Sequence, residues 1–225
     1  MNNSAIIVAG GRGARMGALI PKQFLLLAGR PVLMHTIEAF RQFDPDMQII
    51  VVLPAEQQSF WKELCGKYRF NPPHEVIDGG ETRFHSVKNG LTLVPDGVIV
   101  GIHDGVRPFV SPEVLTECYK AATINRAAFP VVPVIDSLRR KTPEGSEMVD
   151  RSEYYFVQTP QVFHSDLIKK AYLQPFSERF TDDVSVLEAM GEKAVEVSGN
   201  RENIKITESL DLDLAELLVT NKVIR

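Results

Sequence analysis

The sequence predicts an α/β protein whose central sheet is doubly wound and mostly parallel. Short β-branched runs alternate with longer amphipathic segments through residue 125. One run, Ile49–Leu53, is apolar at every position, as expected for a strand buried on both faces of a sheet. A glycine-rich stretch, residues 9–17, directly follows the first apolar run. Alternating strands and helices of this kind form Rossmann-like folds, in which ligands bind beyond the carboxyl ends of the strands.

The first two strand and helix pairs follow from hydrophobic pattern. The apolar run Ala5–Val8 predicts the first strand, and the amphipathic segment Val32–Phe43 predicts the first helix. The β-branched run Ile49–Leu53 predicts the second strand, and Glu56–Lys67 predicts the helix that returns across the sheet.

The next two pairs repeat this order. Glu75–Ile77 predicts a short third strand, and Arg83–Leu93 predicts the helix after it. Val98–Ile102 predicts the fourth strand, followed by a helix at Pro112–Asn125. The loops after the first, third and fourth strands therefore lie on one rim, and they carry Gly, Asp and Arg residues.

The segment from Val134 to Phe156 breaks the alternation. It contains the polar run Ser137–Lys141, a turn at residues 142–145 and a second polar strand pattern that ends near Arg151. This pattern predicts a protruding β-hairpin on a single domain of residues 1–225, with residues 134–156 as the arm. A long exposed hairpin is rarely stable alone, so we expect it to lie against a second subunit in a homodimer.

Composition limits the function classes. A chain of 225 residues with 44% hydrophobic residues can bury the core of one domain. The net charge of −4 gives no support to nucleic-acid binding, which usually requires a basic surface. Cys65 and Cys118 have no neighbouring ligands at zinc spacing, and the longest apolar runs are too short to cross a membrane. We therefore expect a soluble, cytoplasmic protein with reduced thiols.

The glycine-rich stretch has the composition of a phosphate-binding loop. Glycines allow backbone N–H groups to approach an anion, while Arg12, Arg15 and Lys22 add positive charge. This combination favours a nucleoside triphosphate, although an ordinary strand-to-helix turn with solvated arginines is the alternative. The glycines concerned are Gly10, Gly11, Gly13 and Gly17.

Two better-known phosphate loops do not fit this stretch. The dinucleotide fingerprint G-x-G-x-x-G would place its third glycine at Met16. The loop GxxxxGK[ST] would need Gly before Lys22 and Ser or Thr after it, where the chain has Pro21 and Gln23. The loop therefore belongs to neither class.

Several motifs together give the chain a family resemblance. In order along the chain they are AGGRGARMG with PKQF, DGGETRFHSV, IHDGVRPF, VDRSEYYFVQTPQVF, FTDDVSVLE and ENIKIT. This set closely resembles the 2-C-methyl-D-erythritol 4-phosphate cytidylyltransferase family over nearly the whole chain. The resemblance implies that CTP and the polyol phosphate react to give a CDP-alcohol and pyrophosphate, in isoprenoid precursor synthesis. A phosphate monoester has a second pKa of about 6, so its oxygen can attack without a general base.

The resemblance also implies residue roles. Arg15 and Lys22 would stabilise the triphosphate, and Mg2+ would be held mainly by that triphosphate rather than by protein ligands. Arg151 and Lys205 would position the attacking phosphate. The nucleotide would contact Ala9, Gly10, Gly11, Gly13, Gly80, Glu81, Arg83, Ser86 and Gly105. The polyol phosphate would contact Asp104, Arg107, Ser137, Thr159 and Thr181. Ser137 and Arg151 lie on the hairpin, and the resemblance places them in the partner subunit's site.

Two alternatives remain at this stage. The variant Val8-Ala9-Gly10-Gly11 is shared with ribitol 5-phosphate cytidylyltransferases, which perform the same chemistry on another alcohol. A non-catalytic module that binds a nucleotide or sugar phosphate is the second alternative. Such a module, unlike a cytidylyltransferase, has no need for positive charge at the α-phosphorus.

Three other features receive purely structural interpretations. His103 follows an apolar strand pattern, which predicts a packed or loop histidine rather than a ligand. Asp182 and Asp183 together predict an N-cap pair before a helix over 184–190. Trp61 is expected to contact the core from a helix face.

Overall fold

The computed structural model describes residues 2–10 and 20–220. Within these ranges, two short 3-10 turns lie at Lys22–Phe24 and Arg151–Glu153. The helices are α1 (Val32–Phe43), α2 (Ala55–Lys67), α3 (Arg83–Leu91), α4 (Pro112–Asn125), α5 (Ser165–Ala171), α6 (Asp183–Glu188) and α7 (Ser209–Thr220). The strands are β1 (Asn3–Val8), β2 (Leu26–Leu27), β3 (Arg30–Pro31), β4 (Gln48–Leu53), β5 (Glu75–Asp78), β6 (Ile99–Asp104), β7 (Ala127–Pro133), β8 (Leu138–Thr142), β9 (Gly145–Val149), β10 (Tyr155–Val157), β11 (Gln161–His164) and β12 (Val195–Ser198).

Eight strands form one sheet, and its central part is parallel. The order β6-β1-β4-β5 is parallel throughout. On the other side of β6, β11 pairs antiparallel with both β6 and β7. β10 also pairs antiparallel with β7, and β12 pairs parallel with β7. The predicted fold class, α/β with a doubly wound and mostly parallel sheet, is confirmed.

The two faces of the sheet bury alternate residues of each central strand. Ile7 and Val51 face α1, α2 and α4, in a cluster that includes the fully buried Phe40. Ile6 and Ile50 face the opposite layer, which contains α3, α5 and α6. Because side chains of a strand alternate between faces, a strand covered on both sides must be apolar at consecutive positions. This requirement explains the uninterrupted apolar runs.

Two predicted boundaries differ from the structure in ways that affect the site. The prediction ended the fourth strand at Ile102, but β6 continues to Asp104 because His103 and Asp104 pair with the last residues of β1. Asp104 therefore occupies the end of a strand rather than a loop. Helix α3 ends at Leu91 and not at Leu93, since a final turn follows in which the N–H of Leu93 bonds to the carbonyl of Gly90.

The predicted hairpin is present as β8 and β9. Leu138 pairs with Val149, and Thr142 pairs with Gly145 at the turn. Gly145 has φ +139, a conformation that L side chains rarely adopt. Arg140 forms an ion pair with Glu147 on the facing strand. Apart from this cross-strand bonding, the hairpin side chains are mostly exposed in the single chain.

Cys65 is half-buried and Cys118 is buried, and both are free thiols. Burial raises the pKa of Cys65 to about 11 and that of Cys118 to about 12, so both remain protonated near neutral pH. In the described parts of the chain, the helices are too short or too polar to span a bilayer.

Candidate active site

Three loops meet at the carboxyl ends of the parallel strands. Backbone bonds hold each loop to a neighbouring strand: Ala9 N–H donates to Val52 at 2.9 Å, and Gly79 N–H donates to Leu53 at 2.8 Å. Gly105 N–H donates to Val8 at 2.9 Å. These bonds continue the sheet ladder past the last paired residues. They bring chain segments nearly 100 residues apart to one rim.

The first cavity on this rim has a volume of about 200 Å³. It brings together most of the residues predicted to bind nucleotide, together with two predicted catalytic lysines. Its lining comprises Val8, Ala9, Gly10, Lys22, Gln23, Gly80, Glu81, Thr82, Arg83, Ser86, Asp104, Val106 and Lys205. Gly11, Gly13 and Arg15, also predicted to contact the nucleotide, lie outside the described residues.

Ser86 fixes the loop that forms one wall of this cavity. Its Oγ accepts a hydrogen bond from Gly80 N–H at 3.0 Å and donates to the carbonyl of Thr82 at 3.0 Å. Thr82 is in turn the N-cap of α3. A Cβ at Gly80 would lie 2.3 Å from the Cβ of His85, so the loop can pass here only as glycine. The wall therefore presents backbone groups in fixed positions.

Gly105 lies behind the first cavity rather than on its surface. A Cβ at this position would lie 2.9 Å from the Cβ of Ala9 and 3.2 Å from the carbonyl oxygen of Val8. Its own carbonyl accepts a hydrogen bond from Thr36 Oγ1 at 3.1 Å. The absence of a side chain at Gly105 thus lets its backbone pack closely against the loop at Ala9. In the structure Gly105 supports that loop.

Asp104 is the centre of a charged cluster. Its carboxylate lies 3.5 Å from Arg83 Nε, 3.3 Å from Arg107 Nε and 2.9 Å from Lys205 Nζ. The residue is only 7% exposed. Burial alone would raise the pKa of Asp104, but the charges of Arg83, Lys205 and Arg107 outweigh it and hold that pKa well below its usual range. The carboxylate is therefore ionised whenever the protein is folded near neutral pH.

His103 and Thr159 fix the backbone on either side of Asp104. Thr159 Oγ1 accepts a hydrogen bond from Asp104 N–H at 3.1 Å and lies 3.0 Å from His103 Nδ1. His103 Nε2 lies 2.9 Å from the carbonyl of Arg107, which can only accept. His103 is fully buried, and burial lowers its pKa to about 4. It is a neutral, packed histidine, the first of the two arrangements that the sequence predicted.

A second cavity, of about 290 Å³, adjoins the first. Arg83, Asp104 and Lys205 line both cavities and mark the junction between them. The second cavity contains four of the five residues predicted to bind the polyol phosphate. Its lining comprises Arg83, Asp104, Arg107, Val157, Gln158, Thr159, Gln161, Thr181, Asp182 and Lys205.

The two hairpin residues do not reach either cavity within one chain. Ser137 and Arg151 line a separate cavity of about 480 Å³ at the base of β8 and β9, together with Met148. The guanidinium of Arg151 donates to the carbonyl of Ile135. These two predicted site residues are therefore separated from the rest in the single subunit.

The N-cap prediction is right for Asp182 and wrong for Asp183. Asp182 caps α6, and its side chain forms a capping box with Ser185. Asp183 is the first residue of the helix and is fully buried, with both carboxylate oxygens bonded to the guanidinium of Arg83. One helix needs only one N-cap, so a second adjacent acid was the signal that could have indicated another partner.

Gln23 is a further site residue that the sequence reasoning did not identify. It is fully buried and lines the first cavity. Its Nε2 donates to the carbonyl of Ala9 and to Gln57 Oε1, both at 2.6 Å. The residue after Lys22 therefore ties the 3-10 turn to the end of β1. Its position after a lysine in a proline turn gave no sign of burial.

Comparisons with known proteins agree with this geometry. The family model described as "IspD: 2-C-methyl-D-erythritol 4-phosphate cytidylyltransferase" matches residues 4–221. The relative of that name from Bacteroides fragilis is 58% identical over 219 residues, which is 97% of this chain and 100% of the relative. The one from Porphyromonas gingivalis ATCC 33277 is 52% identical and covers 96% of this chain and 97% of the relative.

Solved structures show the same likeness. The crystal structure of the Thermus thermophilus cytidylyltransferase of this name has a TM-score of 0.78 and 31% identity, covering 98% of this chain and 100% of that one. The 4-diphosphocytidyl-2C-methyl-D-erythritol synthase from Anaerococcus prevotii has a TM-score of 0.82 and 28% identity, covering 97% and 96%. The chain belongs to the 2-C-methyl-D-erythritol 4-phosphate cytidylyltransferase family.

Proposed function

We propose that the protein transfers the cytidylyl group of CTP to 2-C-methyl-D-erythritol 4-phosphate and releases pyrophosphate. The observation that carries this proposal is the junction of two adjoining cavities. Arg83, Asp104 and Lys205 line both cavities, while Lys22 lines only the first. A nucleotide in the first cavity and a polyol phosphate in the second would meet at this junction. The family relationship supplies the identity of both substrates.

The reaction requires positive charge more than proton transfer. A phosphate oxygen of the polyol substrate forms a bond to the α-phosphorus, and the bond to the β-phosphate oxygen breaks to release pyrophosphate. Since the attacking phosphate is already largely dianionic at neutral pH, its oxygen needs no general base. Lys22 and Lys205 supply charge where the negative charge of the transition state develops. Arg15 has the same role in this proposal.

Asp104 gives the second cavity a fixed hydrogen-bond acceptor. Because three cations surround its carboxylate, it remains ionised and cannot rotate freely. Such an acceptor can bind polyol hydroxyls and orient the phosphate toward the nucleotide. Arg107 and Thr181 line the same cavity and complete the binding of the polyol phosphate. Thr159 acts on this cavity by holding the backbone of Asp104.

Selection of cytosine would rest on the rigid wall at Gly80 and Ser86. Its backbone groups are held at fixed positions by bonds within the protein. A base that places a carbonyl where cytosine has an exocyclic amine would leave buried polar atoms unpaired, which is costly. Glu81 lines the same wall. We therefore expect strong discrimination against UTP.

Mg2+ would enter this site as part of the nucleotide substrate. Among residues 2–10 and 20–220, no three His, Cys, Asp or Glu side chains are grouped so as to hold a metal ion. Asp104 lines both cavities, but its charge is already matched by three cations. Magnesium is commonly bound through substrate phosphates and water, so a Mg2+ complex of CTP needs no dedicated protein site. We expect the free cysteines to be stable in the cytoplasm, where thiols stay reduced.

The active unit in this proposal is a homodimer. The whole chain, residues 1–225, is one nucleotidyltransferase domain, and the predicted arm, residues 134–156, contacts the partner. The last two residues of this segment, Tyr155 and Phe156, also belong to β10 of the central sheet. Apolar side chains on and beside the arm are exposed in the single chain: Ile135 is 56% exposed, Met148 74% and Phe156 53%. Pairing of two arms would cover these side chains and carry Arg151 and Ser137 to the partner's cavities.

Mixing two inactive variants tests the shared site. Lys22→Ala and Arg151→Ala each leave a homodimer with a lesion in both sites. If Arg151 acts across the interface, a mixed dimer contains one site with both lesions and one site with neither. We expect subunit exchange to restore up to half of the wild-type activity per mixed dimer. Mixed dimers confirmed by mass that remain as inactive as their parents would show that Arg151 acts within its own subunit.

A pyrophosphate-release assay tests the substrates. The panel combines CTP, UTP, ATP and GTP with methylerythritol phosphate and with ribitol 5-phosphate. We expect turnover with CTP and methylerythritol phosphate only. A higher kcat/KM with ribitol 5-phosphate than with methylerythritol phosphate would identify ribitol 5-phosphate as the substrate. CTP binding without turnover on either alcohol would favour a non-catalytic module.

A further inference from the structure

Arg83 is held by a carboxylate that lines neither cavity. Its two terminal nitrogens donate to the two oxygens of Asp183, at 2.8 Å and 2.7 Å. Asp183 is fully buried, and Tyr172 Oη donates to its Oδ1 at 2.5 Å. The carboxylate thus accepts three hydrogen bonds from two side chains. A buried bidentate pair of this kind fixes both partners in orientation as well as in distance.

Both members of the pair are anchored to larger elements. Asp183 begins α6, and its N–H donates to Gln161 Oε1 at 2.8 Å. Gln161 belongs to β11 and pairs with Ile102 of β6, the strand that ends at Asp104. On the other side, Tyr172 stacks on Phe84, the residue after Arg83, with ring centroids 4.6 Å apart. The pair therefore cannot shift without moving the start of β11 or the start of α3.

This arrangement decides what Arg83 can do in the site. With both terminal nitrogens bonded to Asp183, only Nε faces Asp104, at 3.5 Å. The charge of Arg83 is largely compensated before any substrate enters. Arg83 therefore has a fixed orientation between the two cavities. The side chain of Lys205, by contrast, is 39% exposed. A mobile arginine at the same place would compete for the phosphates of the nucleotide.

We propose that Asp183, oriented by Tyr172, is a positioning residue for cytidylyl transfer that acts through Arg83. It holds the guanidinium at the junction of the two cavities and prevents it from binding phosphate in an unproductive geometry. This inference rests on the proposed function, because it concerns the alignment of the same two substrates. Burial and the charge of Asp183 raise the pKa of Tyr172, so its hydroxyl remains a donor throughout the working range of pH.

The proposal predicts opposite effects on binding and turnover. Asp183→Asn removes a negative charge and allows at most one strong bond to Arg83 in place of two. The released guanidinium can then reach the triphosphate, so KM for CTP should fall. Misalignment at the junction should lower kcat by up to about a hundredfold, the scale expected for a displacement near 1 Å. Loss of helix α6 would instead raise KM and lower kcat together.

A double-mutant cycle tests whether Asp183 acts through Arg83. The variants are Asp183→Asn, Arg83→Met and the double variant, with kcat and KM measured for both substrates. If the effects are transmitted through the pair, the double variant should be no slower than the worse single variant within about threefold. Independent, multiplicative effects would overturn the proposal. So would Asp183→Asn with wild-type kcat.

Two further variants separate positioning from stability. Tyr172→Phe keeps the ring stacked on Phe84 but removes the bond to Asp183, and we expect a smaller decrease in kcat with unchanged KM. Ser185→Ala is the matched control, because it weakens the capping box of the same helix without touching the Arg83 pair. It should lower the melting temperature while kcat stays within about twofold of wild type. If it lowers kcat as much as Asp183→Asn, helix stability explains the effect and the positioning role is wrong.

Failure of the proposed function would be recognisable separately. Wild-type protein that releases no pyrophosphate from CTP and methylerythritol phosphate would contradict the reaction itself. In that case the binding of CTP, measured by calorimetry, still tests the inference. Tighter CTP binding by Asp183→Asn that is abolished by Arg83→Met would support the control of Arg83 by Asp183. Unchanged CTP binding in both variants would overturn it.

Discussion

Replacing Asp104 with Asn should lower the stability of the folded protein as well as its catalytic activity. The substitution keeps the size of the side chain but removes the negative charge that Arg83, Arg107 and Lys205 share. Arg83, Arg107 and Lys205 each lie within 3.5 Å of this carboxylate. Arg107 and Asp104 are nearly buried, with side chains 13% and 10% exposed. After substitution, Arg107 and Lys205 lose the counterion that they share, while Arg83 keeps its pair with Asp183.

The burial of these groups sets how much the free energy of unfolding falls in Asp104→Asn. Removing one partner of a buried ion pair typically costs about 3–5 kcal/mol. Lys205 and Arg83 are partly exposed, so water can compensate some of the loss, and we expect about 2–4 kcal/mol here. For a chain of this size, each kcal/mol lowers the melting temperature by roughly 2–4 °C, which gives a decrease of about 5–15 °C. Differential scanning calorimetry at pH 7 measures this shift.

Asp96→Asn is a matched control for the same chemical change. Asp96 pairs with Lys169 at 2.5 Å, but its side chain is 80% exposed. Exposed ion pairs contribute less than about 1 kcal/mol, so the control should melt within about 4 °C of wild type. If Asp104→Asn melts no lower than Asp96→Asn, the carboxylate does not hold the three cations together in the folded protein.

The loss of stability in Asp104→Asn should become smaller as the pH falls into the acid range. The pKa of Asp104 in the folded protein lies well below the ordinary value of 3.8. Its contribution is therefore complete above about pH 5 and declines as the pH falls through 3.8, because the unfolded chain then binds a proton that the folded chain does not. The difference in stability between wild type and Asp104→Asn should narrow in that acid range. A constant difference from pH 7 to pH 2.5 would contradict the depressed pKa.

Three other predictions address turnover, base selection and acid stability. Lys22→Ala should lower kcat by about two to three orders of magnitude, the scale for loss of one transition-state charge contact, while circular dichroism shows an intact fold; near-normal kcat would make Lys22 a surface residue only. CTP should exceed UTP by at least about a hundredfold in kcat/KM, and comparable values would contradict the cytosine wall. His74 accepts a hydrogen bond from Trp61 Nε1 at 3.0 Å, and burial lowers the pKa of His74 below its usual 6.5. Stability should therefore decrease as the pH falls through 6.5, because the unfolded chain binds the proton first, and His74→Phe should reduce this dependence in melting experiments; an unchanged dependence would show that other groups cause it.

Local patterns were sufficient for the elements of the parallel sheet. The bounds of α1 and α4 coincide with the predicted segments, and the strands differ from prediction by two residues at most. These elements depend on the alternation of apolar and polar residues over short stretches, which a sequence displays directly. The motifs also indicated the family, which the comparisons confirm. The loops at the rim followed from topology, because parallel strands end at the same edge.

The tertiary structure decided how those loops combine. Asp183 was predicted to cap a helix, yet it pairs with Arg83, which lies 100 positions earlier in the chain. Thr159 was predicted to contact substrate, and it also bonds to Asp104 N–H across 55 positions. Such contacts depend on the register of β11 against β6 and on how α6 lies relative to α3. A local pattern predicts where α6 begins, at the N-cap Asp182, but not which side chains it meets.

The fold class, the family and the residue types that the reaction needs all follow from the order of residues in the chain. Short-range periodicity and motif order specify these features, because each is a property of neighbouring residues. Three-dimensional packing places Arg83, Asp104 and Lys205 between two cavities and leaves Arg151 apart from both within one chain. The physical reason is that charge pairing and burial depend on distances in space. Those distances are set by packing among strands and helices that are remote in the chain.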